Sequence, residues 1–267
     1  MMNTGKQFYR LENISLLDSS QTFGLIDFSM EIDADQNTIL LGPEGSGKGQ
    51  LIELLTGFTM PQKGSFFIED RSITSFGPTA INDYRAKRIA YVSYSFGLLS
   101  NLSVYQNITL PLTFHTKLSQ SEISDIVTPQ LEEFSLLQIK DERPTKLNQN
   151  EKLRVSFLRS LQLKPRLMIF DHILSGQCPI AMRSFFKSAI EKLNEINCGL
   201  FMSEFLFEPV IDYMDQVVLV YGGKRSFRGT VKDFYESDNA YAMQYSGRKL
   251  DGPMSKYFTA SLRSPAE

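Results

Sequence analysis

The feature that most constrains this chain is a glycine-rich loop, GPEGSGKG, which covers residues 42–49. The strand-like run at 37–41 before it is typical of a buried strand, and residues 51–55 after it carry an apolar stripe at helical spacing. In such an arrangement glycines let backbone N–H groups turn inward, the helix N-terminus adds positive potential, and Lys48 extends toward the outer phosphates. The loop therefore predicts a phosphate-binding site. The alternative is an ordinary glycine-rich turn with a solvated lysine.

The loop matches the pattern GxxxxGK[ST] at every position except the last, where Gly49 replaces a hydroxyl residue. The backbone supplies the phosphate cradle, whereas the missing hydroxyl would supply a Mg²⁺ ligand. We therefore expect phosphate binding to persist while metal positioning weakens. The residues predicted to bind nucleotide are Gly42, Pro43, Glu44, Gly45, Ser46, Gly47, Lys48 and Gly49.

Short strand-like runs alternate with helical patterns along most of the chain, which favours an α/β fold with a largely parallel sheet. Between about residues 96 and 165 the patterns are only helical, with a capping box at Ser119 and Glu122 and a helix start near Asn148 or Asn150. This indicates an inserted helical lobe. The strand-like runs lie at 37–41, 89–92, 167–170 and 217–221. The predicted organisation is a nucleotide-binding lobe at 1–95 and 165–236, a helical lobe at 96–164, and a C-terminal tail at 237–267 that is a candidate for contact with a neighbouring subunit.

The composition is that of a globular protein without a strong net charge. With 42% hydrophobic and 22% charged residues in 267, the chain is long enough for one large domain or two small lobes. Lys and Arg number 28 against 30 Asp and Glu, so no overall field attracts nucleic acid or anionic lipid, and any such partner would have to be bound locally. No apolar run approaches the roughly 20 residues of a membrane span, and the first residues lack a secretory signal, so the cytosol is the expected compartment. Cys178 and Cys198 are too few for a disulfide framework, and Cys178 is expected to be a small buried residue and not a reactive thiol.

A second motif lies at 167–172, where the apolar run LMIF ends in Asp171 and His172. A carboxylate at this place is suited to hold Mg²⁺ through water. With the phosphate loop upstream and helices between, the order of motifs resembles that of ATP-binding cassette (ABC) subunits over about residues 8–233. The resemblance implies an α/β fold, a P-loop (RecA-like) ABC nucleotide-binding domain with an inserted α-helical subdomain and a small N-terminal antiparallel β element. It also implies ATP and Mg²⁺ as ligands.

Within the ABC family, three segments resemble the ATPase subunits of Mla/Mce-type phospholipid transporters. They are SGQCPI at 175–180, PLTFHTKLS at 111–119 and KLDGP at 249–253. This resemblance implies peripheral association with the cytoplasmic face of the inner (plasma) membrane and pairing with a second ABC subunit, as a homodimer or a heterodimer. It also implies an integral-membrane permease that docks near residues 94–99 and a periplasmic MCE protein in the same complex.

The residues that carry the chemistry depart from the family pattern. Tyr94 stands where the loop glutamine is expected, His172 where the general-base glutamate is expected, and Ser203 where the switch histidine is expected. A histidine does not simply replace a carboxylate whose charge polarises water. The structural alternatives are that His172 caps a strand or hydrogen-bonds in an interface, and that Tyr94 packs. The signature LSGGQ is replaced by Leu147, Asn148, Gln149, Asn150 and Glu151, so that side chains stand where backbone approaches the γ-phosphate.

These substitutions predict a nucleotide-binding transporter subunit with impaired or absent ATP hydrolysis, since the loss of one general base costs about 10²–10⁴ in rate. The alternative is a structural or regulatory pseudo-ATPase subunit that does not depend on nucleotide. A soluble ABC ATPase that acts on the ribosome or on DNA is less favoured. Such proteins carry two cassettes or long coiled insertions, and this sequence shows neither.

Overall fold

The computed structural model describes residues 7–17 and 24–255, and the chain divides into two compact units. The first unit comprises Met1–Phe76 and Met202–Glu267, and the second comprises Gly77–Phe201. In chain order the described elements are β1 (Gln7–Leu17), β2 (Gly24–Asp33), β3 (Thr38–Leu41), α1 (Lys48–Leu55), β4 (Lys63–Ile68), β5 (Arg71–Ser72), α2 (Pro78–Arg88), β6 (Ile89–Ser93), α3 (Val104–His115), α4 (Gln120–Glu133), α5 (Gln149–Leu161), β7 (Leu167–Asp171), α6 (Pro179–Glu195), β8 (Gly199–Ser203), β9 (Gln216–Tyr221), β10 (Lys224–Thr230), α7 (Val231–Glu236) and α8 (Ala240–Ser246).

The first unit contains the antiparallel β element that the family resemblance implies. Its strand order is β2-β1-β4-β5, and Leu11 of β1 lies opposite both Met30 of β2 and Phe66 of β4. All three side chains are buried, so one face of this sheet contributes to the core. In the same unit β3 pairs in parallel with β9, which pairs antiparallel with β10. The strand predicted before the glycine-rich loop is therefore confirmed.

In the second unit β6 and β7 pair in parallel, with Tyr91 opposite Ile169 and Ser93 opposite Asp171. Both strands were predicted from their apolar runs, and both are confirmed. The pairing brings the end of β6 beside the end of β7. Polar residues that follow the two strands are thereby brought to one edge of the pair.

An aromatic cluster stabilises the second unit. Phe157 of α5, Phe170 of β7, and Phe185 and Phe186 of α6 are almost fully buried. Their ring centroids lie 5.3 to 6.2 Å apart in tilted or edge-to-face arrangements, which are favourable geometries for aromatic pairs. The signature-like helix α5 is therefore packed firmly against β7 and α6.

Between residues 96 and 165 the described elements are three α-helices and two short 3₁₀ turns, as predicted. Each of the three α-helices begins with a capping box, in which the N-cap side chain accepts a backbone N–H and the third helical residue accepts the N-cap N–H. The pairs are Ser103 with Gln106, Ser119 with Glu122, and Asn148 with Glu151. The caps of α4 and α5 confirm the starts predicted at Ser119 and near Asn148, whereas the start of α3 at Ser103 was not predicted.

The described ranges contain no helix that is long and apolar enough to span a membrane. The predicted C-terminal tail begins directly after α7 and includes all of α8, and residues 256–267 of it lie outside the described residues. The lobe boundaries predicted from the sequence, and the contact of the tail with a neighbouring subunit, stay predictions.

Candidate nucleotide site

The glycine-rich loop joins β3 to α1 and holds three glycines in the left-handed region. The angle φ is 149° at Gly42, 69° at Gly45 and 105° at Gly47. A Cβ at Gly42 would lie 2.2 Å from the carbonyl oxygen of Val220, and a Cβ at Gly47 would lie 2.8 Å from that of Gly24. Only glycine fits at these two positions, and this requirement fixes the path of the loop.

The loop and the first turn of α1 offer hydrogen-bond donors to an anion. Gly47 is the N-cap of α1, and no side chain in the described part of the chain caps this end. Ser46 is 3% exposed, and its Oγ has no hydrogen-bond partner among the described residues. A buried hydroxyl without a partner costs free energy that a hydrogen bond to a phosphate oxygen would recover. The donor set therefore fits the phosphates of a nucleotide.

Lys48 opens α1, and its ammonium group turns back toward the loop. Nζ donates hydrogen bonds to the carbonyl oxygens of Gly42 and Pro43, the second at 3.0 Å, and it lies 4.2 Å from the ring centroid of Phe205. The residue is only 4% exposed. An ammonium group has three donors, and two of them are directed at these loop carbonyl oxygens.

Tyr245 of α8 belongs to the same cluster. Its hydroxyl donates to the carbonyl oxygen of Phe205 at 2.9 Å and lies 3.5 Å from that of Gly42. Burial raises the pKa of the Tyr245 phenol to about 12, so the hydroxyl remains a donor at neutral pH. Neither Phe205 nor Tyr245 belongs to a motif that marks it as part of the site in the sequence. The only signal for Tyr245 was the aromatic composition of the C-terminal segment, which indicates no partner.

Gly49 has open space around it. A Cβ built at this position meets no heavy atom within 4 Å in the described structure. The residue lies in the first turn of α1, where φ is not left-handed. Packing therefore does not impose glycine here, and a serine or threonine hydroxyl would fit.

In the second unit Asp171 ends β7 next to the loop that follows β6. Its Oδ2 accepts a hydrogen bond from the Tyr91 hydroxyl at 3.1 Å, and its backbone carbonyl accepts the Tyr94 N–H at 2.9 Å. Its Oδ1 lies 3.7 Å from Nε2 of His172. Carboxylate oxygens are ligands that Mg²⁺ prefers, so the chemistry of Asp171 fits the metal role assigned from the sequence. Tyr91, which the sequence analysis did not single out, orients this carboxylate.

His172 and Tyr94 flank Asp171 in different ways. His172 has a φ of 54°, so the chain leaves β7 through a left-handed residue and the imidazole lies beside the Asp171 carboxylate. The Tyr94 side chain is 59% exposed, so the packing role considered for it is wrong. Both residues are therefore accessible from solvent in the second unit, since the His172 side chain is 29% exposed.

The position assigned to the switch histidine holds a small buried hydroxyl. Ser203 ends β8 and is fully buried, and no described residue is a hydrogen-bond partner of its Oγ. A serine can donate one proton but cannot accept and hold one as an imidazole does. This position therefore lacks a titratable group.

The signature-like segment forms the start of α5. The Asn148 Oδ1 accepts the Glu151 N–H at 3.0 Å, and the Glu151 carboxylate accepts the Asn148 N–H at 2.8 Å. Two of the five predicted signature residues are thus engaged in capping, while Gln149 is exposed and Leu147 is buried. The Asn150 Nδ2 is buried and has no hydrogen-bond partner within the described ranges. Side chains, and not bare backbone, line the first turn of this helix.

Cys178 contradicts the expectation that it is a small buried residue without cause for a shifted pKa. The residue is exposed and is the N-cap of α6. Hydrogen bonds from the backbone N–H groups of Ala181 and Ile180 lower the pKa of its thiol. No basic cluster lies near Cys178 in the sequence, but the N-terminus of a helix also stabilises a thiolate.

The predicted site residues fall into two groups, one in each unit. The loop at 42–49 and Ser203 lie in the first unit, and Tyr94, residues 147–151, Asp171 and His172 lie in the second. Within the first unit the loop residues meet as predicted. Within the second, Tyr94, Asp171 and His172 meet at the end of β7, whereas 147–151 form a separate helix start.

A left-handed glycine loop between a buried strand and a helix that opens with a buried lysine defines a P-loop nucleotide-binding domain. Residues 25–175, more than half of the chain, match the sequence model of the family described as ABC transporter. The chain belongs to the ABC transporter family. Its fold is that of an ABC ATPase nucleotide-binding domain, a mixed α/β fold with an N-terminal antiparallel sheet, and ABC ATPases bind ATP with Mg²⁺.

Two curated proteins are similar over most of the chain. The chain is 27% identical over 229 residues to the intermembrane phospholipid transport system ATP-binding protein MlaF of Haemophilus influenzae, with 85% of this chain and 86% of that protein covered. It is 26% identical over 262 residues to the chloroplastic protein TRIGALACTOSYLDIACYLGLYCEROL 3 of Arabidopsis thaliana, with 90% and 75% covered.

Solved structures support the fold. The structure of cbiO1 from Clostridium perfringens, part of the ABC transporter complex cbiONQ, matches with a TM-score of 0.79 at 22% identity and covers 96% of this chain and 99% of that chain. A dimeric ATP-binding cassette bound to ADP and Pi matches with a TM-score of 0.72 at 17% identity, with 84% and 98% covered. At these identities the likeness shows the fold alone.

Proposed function

We propose that this chain is the nucleotide-binding subunit of an ABC transporter of the Mla/Mce lipid-transport type, with impaired or absent ATP hydrolysis. The likeness to a protein named for intermembrane phospholipid transport supports the lipid substrate class. The segments SGQCPI, PLTFHTKLS and KLDGP, which resemble segments of Mla/Mce-type ATPase subunits, support the same substrate class.

One observation supports the proposal that ATP hydrolysis is reduced. The phosphate cradle keeps its left-handed glycines, its buried Ser46 hydroxyl and Lys48, while the positions that aim and deprotonate water hold other groups. Gly49 has no hydroxyl, His172 has no carboxylate and Ser203 has no imidazole. Binding depends on the first set and hydrolysis on the second, so the two activities separate.

In this proposal the loop N–H groups, Ser46 and Lys48 of the first unit would hold the phosphates of ATP. Within the second unit the Asp171 carboxylate would be a ligand for Mg²⁺, and the chemistry that Mg²⁺ supplies when bound is neutralisation of phosphate charge. The Tyr91 hydroxyl fixes the Asp171 carboxylate through its hydrogen bond at 3.1 Å. His172 can accept a proton from water, but a neutral imidazole does not supply the negative charge of a glutamate.

The proposed partners are a second ABC subunit, an integral-membrane permease and a periplasmic MCE protein, with the chain peripheral at the cytoplasmic face of the inner membrane. Within the second unit a cavity of about 460 Å³ is lined by Leu99, Leu110, Phe114 and Arg159, among others. The Phe114 side chain is 75% exposed at this cavity. Such an exposed apolar surface supports contact with a permease.

The contacts of Lys48 favour one alternative, a structural or regulatory subunit that does not depend on nucleotide. Its ammonium group is satisfied by Gly42, Pro43 and Phe205 without any phosphate. The two functions differ in a binding assay, because only the nucleotide-binding subunit gives saturable binding of MgATP that Lys48→Ala abolishes.

The test is to purify the native complex, identify its subunits, and measure MgATP binding and steady-state ATP turnover of the assembled complex and of the isolated chain. We expect a permease and an MCE protein in the complex, saturable ATP binding, and turnover by the isolated chain no faster than that of Lys48→Ala. Brisk turnover by the isolated chain that Lys48→Ala abolishes would contradict impaired hydrolysis. No saturable binding would select the alternative.

A further inference from the structure

Three side chains connect the C-terminal helix to the phosphate loop. The Tyr245 hydroxyl donates to the backbone carbonyl of Phe205 at 2.9 Å, and the Phe205 ring lies 4.2 Å from Nζ of Lys48. A ring face attracts an ammonium group, and this attraction strengthens when water is excluded, as it is around Lys48. The same ammonium group is the one that the proposed function assigns to phosphate.

The segment that carries Tyr245 is held in place by its own hydrogen bonds. Gln244 is 3% exposed, and its Nε2 donates to the carbonyl oxygens of Lys249 and Leu250 at 3.2 and 3.3 Å. Its Oε1 accepts the Met254 N–H at 2.8 Å. One buried amide therefore fixes the turn after α8, so the Tyr245 hydroxyl is presented from a rigid support.

The Phe205 ring is not enclosed by dense packing. The residue is 44% exposed and borders an apolar cavity of about 270 Å³ that is also lined by Leu206, Tyr245, Leu250 and Met254, among others. The space beside the ring allows Phe205 to move away from the ammonium group of Lys48.

We propose that Tyr245 and Phe205 form a latch that keeps Lys48 turned toward the carbonyl oxygens of Gly42 and Pro43, so that the C-terminal segment sets the affinity for nucleotide. Tyr245 and Phe205 are positioning residues in this scheme, because they act on phosphate only through Lys48. The proposal rests on the proposed function only in naming ATP as the ligand. The latch itself is a contact within the described structure.

In this scheme MgATP binds only to molecules in which Lys48 is released from the latch. The apparent affinity for MgATP is therefore the intrinsic affinity multiplied by the fraction of such molecules. Tyr245→Phe removes the hydroxyl and keeps the ring, so it weakens the latch by one hydrogen bond. We expect MgATP to bind about two- to tenfold more tightly to this variant. Phe205→Leu removes the ring face and should have an effect of similar size. The double variant should gain less than the product of the two, because both act on the same contact.

The experiment measures two properties of the full chain: the Kd for MgATP by titration, and the rate at which Lys48 is acetylated in a short pulse, followed by peptide mass spectrometry. The exposed Lys224 serves as the internal reference. Tyr241→Phe is the matched control, since it removes a hydroxyl from the same helix, where Tyr241 stacks on Tyr221 and makes no described contact with Phe205 or the loop.

The latch predicts that Tyr245→Phe raises both the acetylation rate of Lys48 and the affinity for MgATP, even if Tm falls, while Tyr241→Phe changes neither. A purely structural role for Tyr245 predicts that Tm and affinity fall together, and that result would overturn the latch. An unchanged acetylation rate of Lys48 in Tyr245→Phe would also overturn it, even with normal ATP binding. Faster acetylation without ATP binding in any variant would support the latch and refute the proposed function.

Discussion

Gly49→Ser restores a hydroxyl at the one position where the phosphate loop departs from its pattern. The new Cβ meets no heavy atom within 4 Å in the described structure, so the change carries no steric penalty. Glycine in a helix is less favourable than serine by about 0.3–0.5 kcal/mol and less favourable than alanine by about 0.5–1 kcal/mol. We therefore expect Tm to rise by roughly 1–2 °C in Gly49→Ser and by roughly 2–4 °C in Gly49→Ala.

The two variants separate the hydroxyl from the helix effect. A hydrogen-bonding or ligand contact to a charged group contributes about 1.5–3 kcal/mol, which corresponds to a factor of about 10 to 100 in affinity. Gly49→Ser should therefore bind ATP at least about tenfold more tightly in the presence of Mg²⁺ and no more tightly in EDTA. The assay is a titration of each variant with ATP, with and without Mg²⁺. Equal MgATP affinities for the serine and alanine variants, or a fall in Tm for either, would refute the reasoning.

Three further changes test the local structure. Gly42→Ala places a Cβ 2.2 Å from the Val220 carbonyl oxygen. We therefore expect it to lower the free energy of unfolding by more than about 2 kcal/mol in urea unfolding and to abolish ATP binding in a titration. A wild-type urea midpoint and a wild-type affinity would be inconsistent with the loop geometry. Ser119→Ala removes a helix cap and should cost about 1 kcal/mol in the same unfolding assay, and no loss would show that the capping box is dispensable. Iodoacetamide at pH 7 should modify Cys178 well before Cys198, because backbone amides lower the pKa of the Cys178 thiol and burial raises the pKa of the Cys198 thiol to about 12. The two alkylation rates are measured by mass spectrometry. Equal rates for the two cysteines would show that the N-cap contact of Cys178 does not form.

The sequence predicted the parts of the structure that depend on neighbouring residues. Short strand-like runs precede the phosphate loop and Asp171, and β3 and β7 lie where these runs lie. The capping box of Ser119 with Glu122 predicted the start of α4 because both hydrogen bonds close within four residues. The phosphate loop was predicted for the same reason, since its glycines, its lysine and the following helix are contiguous.

The rest of the site depends on contacts between distant parts of the chain. Tyr245 reaches Phe205 across 40 positions and Gly42 across 203, and no periodicity or motif specifies such a pairing. The Tyr91 hydroxyl reaches Asp171 only because β6 and β7 pair in a particular register. Cys178 was misjudged because its local partners are backbone N–H groups, which every sequence has and which only the helix start directs at the thiol.

The central claim is that the loop around Lys48 accepts a triphosphate that this chain does not cleave. The most direct measurement is to incubate the purified chain with radiolabelled ATP and Mg²⁺, separate protein from free nucleotide, and determine whether the bound nucleotide is ATP or ADP, with Lys48→Ala as the control. The account predicts bound ATP that remains ATP over many minutes and is absent from Lys48→Ala. Bound ADP with release of phosphate, dependent on Lys48, would contradict it.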